Sequence, residues 1–94
     1  KRIKRKDWKD YTRDELIMVF MPLVENIARK FATSQQASGV MAITDIIQEG
    51  HLNLIKAVDR IDWDKIHESE DMEKTLKSFL SKRIKGGIRR AIDR

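Results

Sequence analysis

Residues 45–62 read DIIQEGHLNLIKAVDRID, and this segment sets the interpretation of the whole chain. Its apolar side chains recur at the spacing of an α-helix that buries one face. The predicted buried face is formed by Ile47, Leu54, Val58 and Ile61, with Gly50 and Ala57 beside them. Glycine destabilises a helix by about 1 kcal/mol relative to alanine, so Gly50 indicates close packing of a neighbouring helix.

The opposite face of this helix is mostly polar but includes two apolar residues. Its polar residues are Asp45, Gln48, Glu49, Lys56 and Asp59. Leu52 lies among them and Ile55 lies at their edge. A leucine surrounded by carboxylates and amides is typical of a surface that another protein covers. The alternative is a solvated face with a single exposed leucine, which is common in folded proteins.

The same segment resembles region 2.2 of bacterial sigma factors, the subunits that direct RNA polymerase to promoters. In that family this helix binds the clamp helices of the polymerase beta-prime subunit. Residues 23–31 (LVENIARKF) are similar to region 2.1, and residues 88–94 (IRRAIDR) are similar to the junction of regions 2.3 and 2.4. The three segments occur in the family's order and cover most of residues 20–94.

The resemblance implies a set of residues that contact the clamp helices: Asp45, Gln48, Glu49, His51 and Ile55. The residue pattern selects all of these except His51, and it adds Leu52. The family usually has Asn at the position of His51 and Met at that of Ile55, so these two contacts are expected to be altered but retained. We predict that these six residues bind core RNA polymerase.

Basic residues concentrate in residues 1–6 and 77–94, whereas residues 59–73 are predominantly acidic. This distribution favours a polyanion at two places. At helical spacing, one stripe carries Lys74, Lys82, Lys85 and Arg89, with Ser78 and Ser81 among them. Each phosphate that a cation neutralises releases counterions, so a stripe of one charge sign favours nucleic acid. The alternatives are a solvated basic face and, for residues 1–6, a solvated tail.

The predicted DNA-binding residues are Lys77, Lys82, Arg83, Lys85, Arg89, Arg90, Asp93 and Arg94. The resemblance places Arg90 and Asp93 where the family reads the promoter minus-ten element, although housekeeping members have Gln and Thr there. Gly86 and Gly87 occupy the positions of a Trp pair within the aromatic cluster that captures flipped bases in those members. Base capture needs stacking platforms. We therefore expect binding by charge and an altered promoter preference, as in an alternative or phage-encoded sigma factor.

Length and composition favour one small helical domain. The chain has 94 residues, of which 37% are charged and 40% hydrophobic, a balance that suits packed amphipathic helices. One proline and four glycines leave little material for a turn-rich β fold. We predict an all-α fold, a compact three- to four-helix domain of the sigma region 2 type in residues 12–94, preceded by a basic arm in residues 1–11.

Capping and periodicity predict the first helix. Thr12 and Glu15 have the spacing of a capping box. The apolar residues that follow at helical spacing are Leu16, Val19, Phe20, Leu23, Val24, Ile27 and Phe31. Because Pro22 lacks an amide donor, we expect either two helices, over about 13–20 and from residue 21 or 22 onward, or one kinked helix.

The central helix is predicted to begin at Ile43 or Thr44 and to end near Ile61. It lies between a loop over residues 33–40 and an acidic loop over residues 62–70. The last helix spans about residues 70–93. Its predicted apolar side consists of Met72, Leu76, Phe79, Leu80, Ile84 and Ala91.

The sequence carries no catalytic constellation, since it has two histidines, His51 and His67, no cysteine and no Gly-rich phosphate loop. We therefore expect no enzyme activity, no cofactor and no metal site. The lack of cysteine fits a reducing cytoplasm, and no apolar run approaches membrane-spanning length. The chain lacks an initial Met and stops inside a predicted helix, so we expect a fragment of a longer protein.

The predicted function is promoter recognition within an RNA polymerase holoenzyme. The expected partners are core RNA polymerase, through the clamp helices of its beta-prime subunit, and promoter DNA, with an anti-sigma factor as a further candidate. Two alternatives stay open. One is a regulatory protein that occupies the clamp helices without reading DNA, and the other is a small helical DNA-binding module with no polymerase partner.

Overall fold

A computed structural model describes residues 10–33 and 42–93, and these residues form four α-helices and no strand. The helices are α1 (Arg13–Ala32), α2 (Ile43–Val58), α3 (Trp63–Glu68) and α4 (Met72–Asp93). Helix α2 packs against both α1 and α4, and α3 packs against α4. The all-α prediction and the central position of α2 are confirmed. Most of the predicted basic arm and of the loop over 33–40 lies outside the described residues.

Helix α1 begins at a complete capping box, as predicted. The amide of Glu15 donates to Thr12 Oγ1 at 3.1 Å, and the amide of Thr12 donates to Glu15 Oε1 at 2.9 Å. The helix then continues through Pro22, so the prediction of two separate helices is wrong and the single-helix alternative holds. The carbonyl that loses its amide partner at Pro22 belongs to Met18, which is 74% exposed, so water can satisfy it.

The buried faces of α1 and α2 differ from the predicted ones. Leu23 and Phe31 of α1 and Ile61, which follows α2, are only half-buried, whereas Ala28 of α1 is buried. Val19 was expected on the apolar side of α1 but is exposed, and Ile17 is buried instead. Ile47 was expected on the buried face of α2 but is only half-buried, whereas Ile46 is fully buried. In both cases two apolar residues lie close together along one helix. The rotation of the helix against its neighbours decides which of the two is covered.

Gly50 lies where α2 approaches α1 and α4 most closely, which confirms its predicted packing role. A Cβ atom added at Gly50 would lie 2.8 Å from Val24 Cγ1 of α1 and 3.4 Å from Ile88 Cδ1 of α4. The first distance is shorter than carbon atoms tolerate. Because any larger residue would push α2 away from α1, this glycine sets the distance between the helices.

The C-terminal end of α2 and the segment after it depart from prediction. Helix α2 ends at Val58 and not near Ile61, because the amides of Arg60 and Ile61 bond to carbonyls three residues back, at 2.9 and 3.4 Å. The predicted acidic loop over residues 62–70 contains helix α3. The Asp62 carboxylate caps α3, and Ile66 anchors it in the core. A single apolar anchor is too little for periodicity to reveal.

Helix α4 follows the predicted span and completes the core. The Asp71 carboxylate accepts a hydrogen bond from the amide of Lys74 at 3.1 Å, which caps the first turn. Four of its side chains have no exposed surface: Leu76, Leu80, Ile84 and Ile88. Among the described residues no polar side chain is buried, so the core is wholly apolar.

None of the described helices combines the length and the apolar composition needed to cross a membrane.

An ion pair joins the start of α1 to the end of α2. Arg13 Nε lies 2.5 Å from Asp59 Oδ1, and Arg13 Nη2 lies 3.0 Å from Asp59 Oδ2. The hydrogen bond from Arg13 lowers the pKa of Asp59, and the bond to Asp59 raises the pKa of Arg13. Asp59, which the sequence analysis counted among the polar residues of the outward face, therefore forms an ion pair within the fold.

Two leucines of α2 provide a matched test of this packing. Leu54 has no exposed surface and Leu52 is 47% exposed. We expect Leu54→Ala to lower the free energy of unfolding by about 2–5 kcal/mol, because it leaves a cavity in the core. Leu52→Ala removes the same atoms from a surface position and should leave the melting temperature nearly unchanged. Equal melting temperatures for the two variants in thermal denaturation would contradict the rotation of α2 described above.

Candidate docking and nucleic-acid surfaces

The outward face of α2 presents the central residues of the predicted polymerase-binding set. Asp45, Gln48 and Leu52 follow one another at spacings of three and four, and all three are exposed. Two turns of helix thus display a carboxylate, an amide and an apolar side chain in one row. We call this row the docking face.

The other predicted polymerase-binding residues lie on the margins of the docking face. Glu49 is half-buried on the flank toward α4, one turn before Asn53, whose side chain meets Gly87 of α4. His51 and Ile55 are half-buried on the opposite flank. A partner that covers the docking face would therefore meet Asp45, Gln48 and Leu52 first and the margins second.

The outward face of α4 carries the predicted basic stripe. Its exposed residues at spacings of three and four are Lys74, Ser78, Lys82, Lys85 and Arg89, while Ser81 is half-buried at the side. The exposed residues lie opposite the fully buried side chains of the same helix. We call these five residues the outer stripe, and its four cations are available to a ligand that lies along α4.

Arg89 at the end of the outer stripe and the predicted DNA-binding residues outside it have different surroundings. Lys77 lies off the outer stripe and pairs with Glu73 at 3.3 Å. The Arg89 guanidinium lies 5.8 Å from the ring centroid of Phe31 on α1, so part of its role is to tie α1 to α4. Asp93 is exposed in the last turn of α4, and Arg94 lies outside the described residues.

A groove between α2 and α4 gathers cations that are distant in sequence. It has a volume of about 320 Å³. Its lining consists of Asn53, Lys56, Ala57, Arg60, Lys82, Arg83, Gly86 and Arg90. Five of these residues are cationic, and none is acidic. Among the described residues, none of the five cations forms an ion pair.

The sequence prediction included three of the groove cations but missed Lys56 and Arg60 as ligand-binding residues. Both belong to the α2 side, where the surrounding residues pointed to protein docking. No sequence feature linked them to the basic residues of α4. Their association depends on the packing of α2 against α4, which brings the flanks of the two helices together.

The two adjacent glycines of α4 have different structural roles. A Cβ atom at Gly87 would overlap the Asn53 side chain, which donates from Nδ2 to the carbonyl oxygen of Glu49 at 2.7 Å. Gly87 is thus required by packing. A Cβ atom at Gly86 would meet only Arg90 Nη1 at 3.7 Å, an ordinary contact, and Gly86 lines the groove. Packing therefore does not require glycine at position 86.

A second depression adjoins the groove along α4. It has a volume of about 570 Å³ and is lined by Lys74, Thr75, Ser78, Phe79, Lys82 and Arg83. The Arg83 guanidinium lies over the Phe79 ring, with its central carbon 5.1 Å from the ring centroid. Lys82 and Arg83 line both the groove and this Phe79 depression, so the two form a continuous cationic surface.

No family model, no curated protein and no solved structure matches this chain. Within residues 10–33 and 42–93, no group of three or more His, Cys, Asp or Glu residues could hold a metal ion. The functional assignment therefore depends on the sequence resemblance together with the exposed residues of α2 and α4.

The Asn53–Gly87 contact can be tested by substitution. Gly87→Ala should displace the Asn53 amide and lower the free energy of unfolding by about 1–3 kcal/mol, the usual cost of overpacking. Gly86→Ala should instead raise stability by about 0.5–1 kcal/mol, because alanine favours the helix. In an Asn53→Ala background, Gly87→Ala should lose most of its penalty. Additive effects in this double-mutant cycle, measured by urea denaturation, would show that the two residues do not interact.

Proposed function

We propose that this chain acts as region 2 of a sigma factor, which binds core RNA polymerase and contributes to promoter recognition. The observation that carries this proposal is the division of α2 and α4 into separate outward faces. The docking face of α2 combines carboxylate, amide and leucine, whereas the outer stripe of α4 carries four cations, one serine and no acidic residue. These are the chemistries that a protein partner and a nucleic acid, respectively, require.

The docking face is proposed to bind the clamp helices of the beta-prime subunit. Leu52 supplies apolar surface at the centre of the contact, and Asp45 and Gln48 supply polar groups next to it. Among protein interfaces, such an apolar centre with a polar rim is common, because burial of the centre excludes water from the polar contacts. His51 and Ile55 widen the contact on one flank and Glu49 widens it on the other.

The outer stripe is proposed to contact the phosphates of promoter DNA. Lys74, Lys82 and Lys85 extend from the exposed side of a helix that is anchored in the core by four fully buried side chains. A rigid helix holds its cations in a fixed register, which favours contact with a regular array of phosphates. All charged residues of the outer stripe are cations, so charge is the main source of affinity along this face.

Core polymerase binding tests the docking face. Asp45→Ala and Leu52→Ala should each weaken binding, and loss of a charge from a desolvated contact costs about 2–5 kcal/mol. Matched controls are Glu25→Ala, an exposed acid of α1, and Met18→Ala, an exposed apolar residue of α1. Both controls should bind like the parent chain. If Asp45→Ala and Leu52→Ala also bind core polymerase like the parent in a titrated pulldown, the docking face is not the binding surface.

Salt dependence tests the outer stripe. The affinity of the chain for duplex promoter DNA should fall linearly in a plot of log affinity against log salt concentration. Lys85→Ala removes a cation that belongs to the outer stripe and should reduce the slope by about 0.9, the value expected for one neutralised phosphate of duplex DNA. Lys65→Ala removes an exposed cation of α3 and serves as the control. An affinity that does not change with salt would exclude phosphate contact as the source of binding.

A helical DNA-binding module without a polymerase partner is the second candidate function. The cationic groove between α2 and α4 favours it, since that groove suits a nucleic acid whether or not polymerase is bound. A single measurement, retention on immobilised core polymerase, distinguishes the two functions. A sigma domain is retained on immobilised core polymerase at physiological salt, and a DNA-binding module is not retained once nucleic acid has been removed by nuclease.

A further inference from the structure

The groove between α2 and α4 concentrates positive charge that the fold does not use. Its lining contains no acidic residue and five exposed cations: Lys56, Arg60, Lys82, Arg83 and Arg90. Within the described part of the protein, none of them forms an ion pair. Like charges around one small groove repel, since salt at physiological concentration screens charges only beyond about 8 Å. A surface that served only solubility would intersperse both signs of charge, so the groove indicates an anionic ligand.

The size of the groove suits a small molecule. Its volume of about 320 Å³ lies at the lower end of the range of about 300–1,000 Å³ that small-molecule pockets span. A duplex that lies along α4 presents its phosphates on a convex surface and meets the outer stripe. A small anion can instead enter the concavity and reach cations on both of its sides.

The arrangement of the cations favours an elongated anion. On α4, Lys82, Gly86 and Arg90 follow one another at a spacing of four residues, so this side of the groove extends over about 12 Å. On the opposite side, Lys56 and Arg60 are also four residues apart. An anion with one charged centre cannot reach both ends of such a groove. A linear series of phosphoryl groups can, because it carries charge along its whole length.

Gly86 provides space on the floor of the groove. An added Cβ atom would meet only Arg90 Nη1 at 3.7 Å, so packing does not require glycine here, although glycine weakens the helix. The missing side chain lets a phosphoryl group approach the α4 backbone midway between Lys82 and Arg90. A ligand in the groove thus accounts for a residue that the stability of α4 does not favour.

We propose that the groove binds an oligophosphate, a linear series of at least three linked phosphoryl groups, carried by a nucleotide or present as an inorganic anion. Lys56 and Arg60 bind it from the α2 side, and Lys82 and Arg90 bind it from α4. The ligand neutralises the repulsion among these cations and connects the two helices. This site goes beyond the proposed function, since it requires neither core polymerase nor promoter DNA.

Isothermal titration calorimetry in the absence of divalent cations tests the site. The parent protein is titrated with orthophosphate, pyrophosphate and tripolyphosphate. We expect saturable binding of tripolyphosphate, with an affinity that rises with the number of linked phosphoryl groups, because each added group reaches further cations. Adenosine triphosphate distinguishes the two sources. If it binds more tightly than tripolyphosphate, the ligand is a nucleotide, and if it binds more weakly, the ligand is an inorganic anion.

Four single-charge variants separate the groove from net charge. Lys56→Ala and Arg60→Ala should each weaken tripolyphosphate binding roughly fivefold, less than the loss of a buried charged contact because the groove is open to solvent. Lys85→Ala removes a cation of α4 that does not line the groove, and Lys65→Ala removes a cation of α3. These controls have the same net charge as the groove variants and should bind tripolyphosphate like the parent. All four residues are exposed, and circular dichroism verifies that each variant is folded.

Gly86→Ala separates ligand binding from the stability of the fold. Alanine favours the helix, so this variant should have a higher free energy of unfolding than the parent. It should nevertheless bind tripolyphosphate more weakly, because the added methyl group occupies the floor of the groove. A purely structural role for Gly86 would leave the affinity for tripolyphosphate unchanged.

Three outcomes would overturn this inference. One is the absence of saturable tripolyphosphate binding; if Lys56→Ala and Arg60→Ala then weaken duplex DNA binding, the groove cations serve nucleic acid instead. Another is parent-like tripolyphosphate binding by both of these variants. The third is an equal loss of affinity in Lys85→Ala and Lys65→Ala, because binding would then follow net charge.

The oligophosphate site and the proposed function can fail separately. Tripolyphosphate binding as expected, without retention of the parent on core polymerase, would support the site and contradict the sigma assignment. Retention on core polymerase without tripolyphosphate binding would contradict the site and leave the docking proposal intact.

Discussion

The close contact at Gly50 is the constraint on which the other features of this domain depend. A helix without a side chain at this point can approach Val24 of α1 and Ile88 of α4 at van der Waals distance. The contact sets the separation of α2 from both neighbours and, with it, the rotation of α2 about its own axis. The core is wholly apolar among the described residues, so no buried polar pair contributes to that register.

Because α2 is fixed in this way, its circumference is divided into three parts. One arc is buried in the core, the outward arc is the docking face, and the flank toward α4 supplies Lys56 to the groove, where Arg60 from the turn after α2 joins it. Leu52 and Lys56 are one turn apart, so the docking face and the groove are neighbours. A ligand in the groove would therefore lie beside any partner that covers the docking face.

The electrostatics of the groove run against stability. Like charges around a small volume destabilise the folded state, and the surface ion pairs elsewhere in the domain contribute little in return. The apolar core supplies the stability that allows such an arrangement. Departures from a mixed-charge surface are expected at functional sites, and the groove, with five cations and no acidic residue in its lining, is such a departure.

Much of this structure followed from the sequence because it depends on local spacing. These features are the capping box at Thr12, the start of α2, the span of α4, the packing role of Gly50 and the outward positions of Asp45, Gln48 and Lys85. Each repeats at the helical period or depends on the next few residues. Helix α3 was missed because one cap and one buried isoleucine leave no periodicity to detect. Proline at position 22 misled the prediction because its lost hydrogen bond falls on a solvated side of α1.

Only the tertiary structure decided which residues of different helices meet. The choice between Ile46 and Ile47, the overlap of Asn53 with position 87 and the union of Lys56 and Arg60 with the cations of α4 all depend on the rotation and separation of packed helices. Helical periodicity states which residues share a face of one helix. It does not state which face of another helix lies opposite, because that is set by side-chain packing between segments that are distant in the chain.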